Sequence, residues 1–460
     1  MKETLIRLFF VLRKHNMAYK QSRFNFTFEA ENSKFIYNTL YLGLAELDDD
    51  VYQALSTKDY KSIKSDILSD LINQKFLVEE DLDELKAYEY FNSRIRYGSG
   101  ARVLAITLIP TYYCNLACPY CLQGQTKESG GISIDGVNRI TNFAQNTIEK
   151  SKKTGVPITH LRANLFGGEP LLNKRAVIQY CENMSNIGEQ LGCKTRFMIT
   201  TNLTLLDAEL LEIFKKVNMN FQVTIDGLKK DHDQLRITKS GSGTYDLIIN
   251  NLKKLCDHGF KKNITIRINL NKSTFDTAED IIKGLKDFSD DIYFGYLENF
   301  SGFNDSCGGC FDNCISDRAE KTEILNAIRR KYENNVPEEF GKLSPCAFNA
   351  ENKFFIDNNF RVYKCELAIN KPEISVGIID DNSEFIPNSK FYEQITHSPL
   401  NFSKCRNCKL LPLCAGGCSA RAYINSNSKD GNLCRTYCMC TETSLNIYLK
   451  NYVKRLLRKR

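Results

Sequence analysis

Cys114, Cys118 and Cys121 lie within the stretch PTYYCNLACPYC, residues 110–121. Thiolates at C-x3-C-x2-C spacing can clamp a metal, and Pro119 makes the run a loop rather than a regular helix. A closed zinc or iron–sulfur site takes four protein ligands. Three thiolates satisfy three irons of a [4Fe–4S] cube and leave the fourth iron open to chelate a substrate or cofactor. The missing ligand is then the functional feature. The alternative is a zinc site completed by a distant residue.

The chain holds 18 cysteines in 460 residues. None precedes Cys114. Cys307, Cys310 and Cys314 form one group, and nine more lie between Cys346 and Cys440. Cys181, Cys193 and Cys256 stand alone and are expected to be buried structural thiols. In MKETLIRLFFVLRKH the apolar patch is broken by Arg7 and no small-residue cleavage site follows, so the sequence predicts no secretory signal and a cytoplasmic protein. Eighteen cysteines there point to metal ligation rather than disulfides. No apolar run is long enough for a membrane span. The net charge of +7 indicates no nucleic-acid partner, and the basic end VKRLLRKR reads as a solvated helix face.

The elements that must position these residues follow from periodicity. Residues 22–50 read as short strands, followed by helical spacing to about residue 91. From 103 on, strand-like runs (RVLAITLIP, THLRANLFGG, TRFMITTN, FQVTIDG, ITIRINLN, DIYFGYL) alternate with helical stretches at 134–150, 173–191, 207–217, 244–258 and 276–288. Six strands with five helices between them predict an α/β fold with a parallel sheet and right-handed crossovers. Functional groups then gather at the C-terminal strand ends. The unusual sequence sits there: the cysteine loop, FGGEP (166–170), TTN (200–202), DG (226–227) and RINLN (267–271). Beyond residue 300 periodicity fades until a helix at about 441–457, as in a segment whose loops are held by metal.

The cysteine spacing, with Tyr120 before the third cysteine, resembles the signature of the radical S-adenosylmethionine (SAM) enzymes. That resemblance implies a partial (β/α)6 TIM-like barrel, a [4Fe–4S] cluster on Cys114, Cys118 and Cys121, and SAM on its open iron. Gly167, Gly168, Glu169 and Pro170 look like the family's GGEP element, which receives the SAM amino group. Thr200, Thr201 and Asn202 match an element near the SAM ribose and methionine, although Leu203 stands where the family often has glycine. TIDGLKKDHDQLR resembles a further family run. In it Arg236 would pair with the SAM carboxylate and Asp226 would face substrate as the catalytic candidate, while His232 and Asp233 are either functional or structural caps. Arg267 and Asn269 alternate on the fifth strand and would line the cavity. The implied chemistry is reductive cleavage of SAM to a 5′-deoxyadenosyl radical that removes hydrogen from an unactivated C–H.

Cys405, Cys408, Cys414 and Cys418, spaced C-x2-C-x5-C-x3-C, resemble the SPASM domain, which binds two auxiliary [4Fe–4S] clusters. By that resemblance Cys346, Cys365 and Cys418 hold the first, while Cys405, Cys408, Cys414 and Cys438 or Cys434 hold the second, with Cys440 a further downstream thiol. Phe360 replaces a family glycine, so its turn is expected to differ. Cys307, Cys310 and Cys314 either supply a fourth ligand to the first cluster, bind another metal, or leave that cluster open to a substrate thiolate. One or two structural zinc sites are the alternative for the region. The expected division is 1–98, an α+β (winged-helix-like) unit resembling a peptide-recognition element; 99–300, the radical SAM core; and 301–460, the Cys-rich SPASM domain. The resemblance implies a precursor peptide or protein as substrate, modified to a thioether or other crosslink, and a one-electron reductant such as a flavodoxin or ferredoxin. The alternatives are an anaerobic sulfatase-maturating enzyme making formylglycine and, in another class, a non-catalytic iron–sulfur electron carrier.

Overall fold

The computed structural model describes residues 18–121, 123, 130–270, 277–296, 346–420 and 441–458. Near its start, β1 (Tyr19–Gln21) pairs antiparallel with β5 (Leu77–Glu79), and β2 (Asn25–Ala30), β3 (Ser33–Asn38) and β4 (Leu44–Leu47) form an antiparallel meander. Strict alternation in NFTFEA sends Phe26, Phe28 and Ala30 to one face. There, with Phe35 and Tyr37, they pack on Leu445, Tyr448, Leu449 and Val453 of the helix Glu442–Arg458. Ile36 points the other way, into a core with Val51, Ala54 and Leu55 of α1 (Asp49–Thr57) and Leu71 of α2 (Ser65–Asn73). Helices therefore cover both faces of this small sheet. The two short strands β1 and β5 escaped the sequence reading because three residues carry no period.

The second unit meets the expected alternation. Strands β6 (Val103–Leu108), β7 (His160–Leu165), β8 (Lys194–Thr201), β9 (Asn220–Thr224), β10 (Ile264–Leu270) and β11 (Asp291–Tyr296) pair in that order, all parallel. Between them run α4 (Ile134–Lys153), α5 (Lys174–Leu191), α6 (Ala208–Lys216), α8 (Tyr245–Asp257) and α9 (Ala278–Leu285). Their ends are written in sequence. Ser133 caps α4 by accepting from Gly136 N, Lys150, Lys152 and Lys153 meet its C-terminal dipole, and Asp207 caps α6 through Leu210 N. The apolar faces of these helices close over strands such as β6, buried along most of its length, in one continuous core. Cys181 and Cys193 are buried in that core and Cys256 packs against it, as expected of structural thiols.

Two features were not foreseen. The helix α7 (Lys229–Leu235) lies inside the TIDGLKKDHDQLR run. The sheet also continues past the parallel strands: β12 (Lys353–Ile356) pairs parallel to β6, and β13 (Arg361–Tyr363), β14 (Gly377–Ile379) and β15 (Phe385–Pro387) follow as an antiparallel meander. The C-terminal region is thus anchored by backbone pairing as well as by any metal it holds. The turn from β12 to β13 keeps the left-handed backbone of a glycine, with Phe360 at φ +61°. Arg139 lies over the Phe360 ring at 4.0 Å, so the side chain is packed rather than splayed. Phe360 therefore occupies a left-handed position with its side chain packed.

Candidate active site

The cysteine loop leaves β6 and is held from three sides. Gly168 N donates to Thr111 O and Glu169 N to Tyr113 O, at 3.1 and 2.8 Å. Ala117 N donates to Ile237 O at 2.8 Å, just beyond α7. Tyr112, fully buried, donates to Asp357 Oδ2 at 3.0 Å in the β12–β13 turn, where Arg361 and Tyr363 meet the same oxygen. The expected close approach of glycine backbone is real, and here it is chain against chain. A Cβ on Gly168 would lie 2.1 Å from Tyr113 O and 2.3 Å from Tyr112 O; one on Gly167, at φ +142°, would lie 2.6 Å from Thr111 O.

Glu169 is expected to receive an ammonium, and the structure first gives it another task. It is buried, with Oε1 accepting from Leu171 N and Thr201 Oγ1 (3.1 and 2.7 Å) and Oε2 from Asn202 N (2.7 Å). A carboxylate has about four acceptor positions, so one remains at Oε2. Burial raises its pKa, opposed by those three hydrogen bonds. Pro170 opens the short turn that Glu169 caps. Asn202 Nδ2 donates to Asn115 Oδ1 at 2.9 Å and to Cys114 Sγ at 3.8 Å, joining the third strand end to the cysteine loop. Leu203 occupies the expected glycine position at φ +59° and is fully buried.

Asp226 is drawn into the interior of the site. The sequence expectation turns it toward substrate, whereas in the structure it is buried and both oxygens are engaged. Oδ1 accepts from Asn269 N and Nδ2 at 3.1 and 3.0 Å; Oδ2 accepts from the Tyr120 hydroxyl and lies 3.6 Å from Arg236 Nη1. Arg236 Nη1 also donates to the Tyr120 hydroxyl at 2.9 Å, and Arg267 Nε to Asn269 Oδ1 at 2.9 Å. Asp226 is therefore a hub that orients Tyr120, Arg236 and Asn269. His232 and Asp233 both hold neighbouring backbone in place. Asp226 N donates to His232 Nδ1 at 3.2 Å, which leaves the ring proton on Nε2 for Thr244 Oγ1 at 3.2 Å. Thr244 Oγ1 in turn donates to Arg236 O at 2.7 Å. Burial, aided by the Arg236 charge, lowers the His232 pKa to about 3. Asp233 Oδ1 accepts from Tyr245 N at the start of α8.

The donor set, three thiols on one loop, is the number an open cube takes from protein. Cys121 and Cys114 both act electrostatically on the Cys118 thiol, whose pKa burial pushes up to about 11 while Arg236 pulls it down. Among the described residues, no three of the His, Cys, Asp and Glu side chains gather tightly enough to hold one metal ion. A zinc ion at about 2.3 Å from each sulfur would need thiolates roughly 3.8 Å apart. A cube spaces its ligands more widely. Among the described residues, two buried polar atoms near the loop have no hydrogen-bond partner: Arg236 Nε and Gln123 Oε1. Gln123 Nε2 donates to Gly167 O at 2.6 Å, so its oxygen and the Arg236 guanidinium are available to a polar ligand. Gln123 and Asn115 were missed by the sequence reading, although both sit within two residues of a loop cysteine.

The C-terminal cysteines fall into two places. Cys346 and Cys418 both act on the thiol of Cys365, whose pKa is raised chiefly by burial, so these three share one neighbourhood. Cys405 is buried, with Cys408 N donating to Cys405 O at 3.1 Å and Cys414 on the following turn. Cys307, Cys310, Cys314, Cys434, Cys438 and Cys440 lie outside the described residues.

The chain is similar to known proteins over much of its length. The radical SAM superfamily matches residues 108–285. The radical SAM cyclopropyl synthase TigE of Paramaledivibacter caminithermalis is 22% identical over 88% of this chain and 91% of its own length. A cysteine-type anaerobic sulfatase-maturating enzyme of Clostridium novyi is 24% identical over 70% of this chain and 90% of its own. The structure of Streptococcus suis SuiB bound to its precursor peptide SuiA superposes with TM-score 0.52 at 15% identity, covering 92% of this chain and 100% of SuiB. The three-thiol loop, the glycine cradle and the ring of strand ends all lie within the matched residues, and the chain carries a radical SAM domain, of the superfamily that binds a [4Fe–4S] cluster and SAM.

Proposed function

We propose that this radical SAM protein is an oxidoreductase acting on a ribosomally made precursor peptide, in which it forms a thioether or other crosslink. In this reading Cys114, Cys118 and Cys121 hold the [4Fe–4S] cluster, and together with SAM it supplies, when bound, a one-electron route to a hydrogen-abstracting radical. Arg236, held by the Tyr120–Asp226 contact and by its own carbonyl, would present its free Nε to the SAM carboxylate. Gln123 Oε1, the last acceptor position of Glu169 and the cradle of Gly167 and Gly168 would take the amino group. Asn202, Thr201 and Arg267 would bound the nucleoside, and Asn269 would keep Asp226 in place. The two C-terminal groups of cysteines would hold auxiliary clusters that accept the electrons an oxidative crosslink releases. A flavodoxin- or ferredoxin-like protein would supply the initiating electron.

The observation that carries the peptide assignment is the unit at residues 18–93. Helices cover both faces of its three-stranded sheet, and β4 is an edge strand. Strand addition at that edge is the way such a unit would take an extended leader segment. The coverage supports it: alignment with the sulfatase-maturating relative takes in 70% of this chain yet 90% of that enzyme, while SuiB, whose structure holds a precursor peptide, covers 92%. Among the described residues no helix is long and apolar enough to cross a membrane.

The test is anaerobic incubation of the reconstituted chain with SAM, reductant and a short precursor encoded beside it. The expected result is 5′-deoxyadenosine together with loss of two hydrogens per crosslink. Conversion of cysteine to formylglycine in a sulfatase peptide, with the precursor unchanged, would establish the sulfatase-maturating alternative instead. Absence of SAM cleavage in iron-loaded protein would leave the electron-carrier reading.

A further inference from the structure

The N-terminal unit is fastened to the Cys405–Cys414 segment rather than tethered loosely to it. Arg23 Nη2 donates to Arg406 O and Thr39 Oγ1 to Lys409 O. Between these ties lies Tyr88, on the helix α3 (Glu84–Ser93), which Asp83 caps through Leu85 N and Lys86 N. Tyr88 is 3% exposed and shares an apolar cluster with Phe24, Leu40, Cys405 and Leu411. Its hydroxyl oxygen accepts from Asn92 Nδ2 at 3.3 Å. Among the described residues no group accepts the hydroxyl proton, an uncommon situation for a buried donor. The thiols of Cys405 and Cys414 both add to the burial that raises the Tyr88 pKa, which places two sulfurs within electrostatic reach of the hydroxyl.

We propose that Tyr88 is an outer-sphere hydrogen-bond donor to the iron–sulfur group held by Cys405, Cys408 and Cys414, so that the N-terminal unit sets the reduction potential of a cluster ligated from the other end of the chain. The inference rests on the assignment of an auxiliary cluster to those cysteines. Its physical basis is the charge of the reduced state. One electron enters the cluster with no bond made or broken, and a proton donor aimed at a sulfur stabilises the more negative form. Tyr88 thereby raises the potential. Because α3 belongs to the unit proposed to take the leader peptide, a shift of α3 on peptide binding would be felt at the cluster as a change in its readiness to accept an electron.

The experiment is a redox titration of the anaerobically reconstituted full chain, followed by electron paramagnetic resonance, comparing wild type, Tyr88→Phe and the control Tyr41→Phe. Tyr41 lies on the same unit and packs edge-on against Phe91. Tyr88→Phe keeps the ring and removes only the hydroxyl. The expected result is a shift of one auxiliary couple to more negative potential in Tyr88→Phe alone, with iron content, melting temperature and peptide-independent SAM cleavage unchanged. An unshifted potential in fully iron-loaded Tyr88→Phe overturns the role of Tyr88 and leaves the cluster assignment standing. Zinc instead of iron at the C-terminal cysteines of the wild type overturns both.

Discussion

Asp226→Asn separates two roles for the same residue. If Asp226 acts on substrate, an isosteric amide abolishes peptide turnover and leaves SAM binding alone. If it positions Tyr120 and Arg236, SAM binding suffers first. The amide keeps an oxygen for Asn269 N and Nδ2 but turns an NH2 toward the Tyr120 hydroxyl and Arg236 Nη1. One charge-assisted hydrogen bond and one close charge partner are lost in a buried site. Bonds to charged groups contribute about 1.5–3 kcal/mol, and truncating a fully buried ion pair costs about 3–5 kcal/mol. The Arg236–Asp226 separation of 3.6 Å is long for a direct bond, which favours the lower range. Taking about 2 kcal/mol as the loss in SAM binding, the KM for SAM rises about 30-fold, since roughly 1.4 kcal/mol corresponds to tenfold. The assay is 5′-deoxyadenosine formation against SAM concentration, with and without peptide, on protein of matched iron content. Tyr120→Phe should raise the same KM by a smaller factor, because it leaves the carboxylate to Arg236. A KM within twofold of wild type, coupled to complete loss of peptide modification, refutes the positioning role and restores Asp226 as a substrate-facing group.

Gly168→Ala sets a methyl against two backbone carbonyls that cannot rotate away; overpacking of about 1–3 kcal/mol should displace the Cys114 loop, read as lost iron and lost SAM cleavage, and a variant with full iron content contradicts the cradle. Leu203→Gly relieves a left-handed backbone worth about 1–2 kcal/mol but empties a fully buried leucine site worth about 2–5 kcal/mol, so the melting temperature should fall; a rise shows that strain outweighs burial there. His232 is a buried base whose folded pKa, about 3, lies below the unfolded 6.5, with Arg236, the Tyr245 ring, Thr244 and the Asp226 amide around it. Its contribution is complete above pH 6.5 and is lost as pH falls from there toward 3, amounting to about 2 kcal/mol at pH 5. His232→Asn, which does not titrate, should reduce the acid-induced loss of unfolding free energy, read from urea titrations, by that amount; equal acid sensitivity in both proteins counts against a neutral, buried His232.

The strand–helix alternation was legible because each element carries its own period and its own cap: Ser133 and Asp207 open α4 and α6, and Gly192 closes α5. The parts of the proposed site that the sequence marks are those where residue type fixes chemistry, as with the cysteines, Gly167, Gly168 and Arg236. The proposed site was not legible where chemistry depends on which partner a side chain finds. Nothing in DG distinguishes a carboxylate aimed at substrate from one saturated by Asn269 and Tyr120. Nor does the turn at Asp357 announce that a tyrosine two residues before the first cysteine will find it. Those pairings span large sequence separations and are decided by packing, which no local period encodes.

Leu203 and Phe360 sharpen the point. Both stand where the resembled families favour glycine, and both keep the left-handed backbone, at φ +59° and +61°. A missing glycine therefore does not by itself signal a changed turn. The backbone conformation is imposed by what surrounds it: Thr201 Oγ1 accepts from Leu203 N at 2.9 Å, and Asp357 O accepts from Phe360 N at 3.0 Å. The buried leucine and the Arg139-covered phenylalanine add apolar contact that offsets the strain of a Cβ in that region. Both turns flank the cysteine loop, one through Asn202 and the other through the Asp357–Tyr112 bond. Side-chain packing at these two positions thus replaces chain flexibility with rigidity at the edges of the proposed SAM pocket, where a cofactor must be held in one orientation for its bond to break productively.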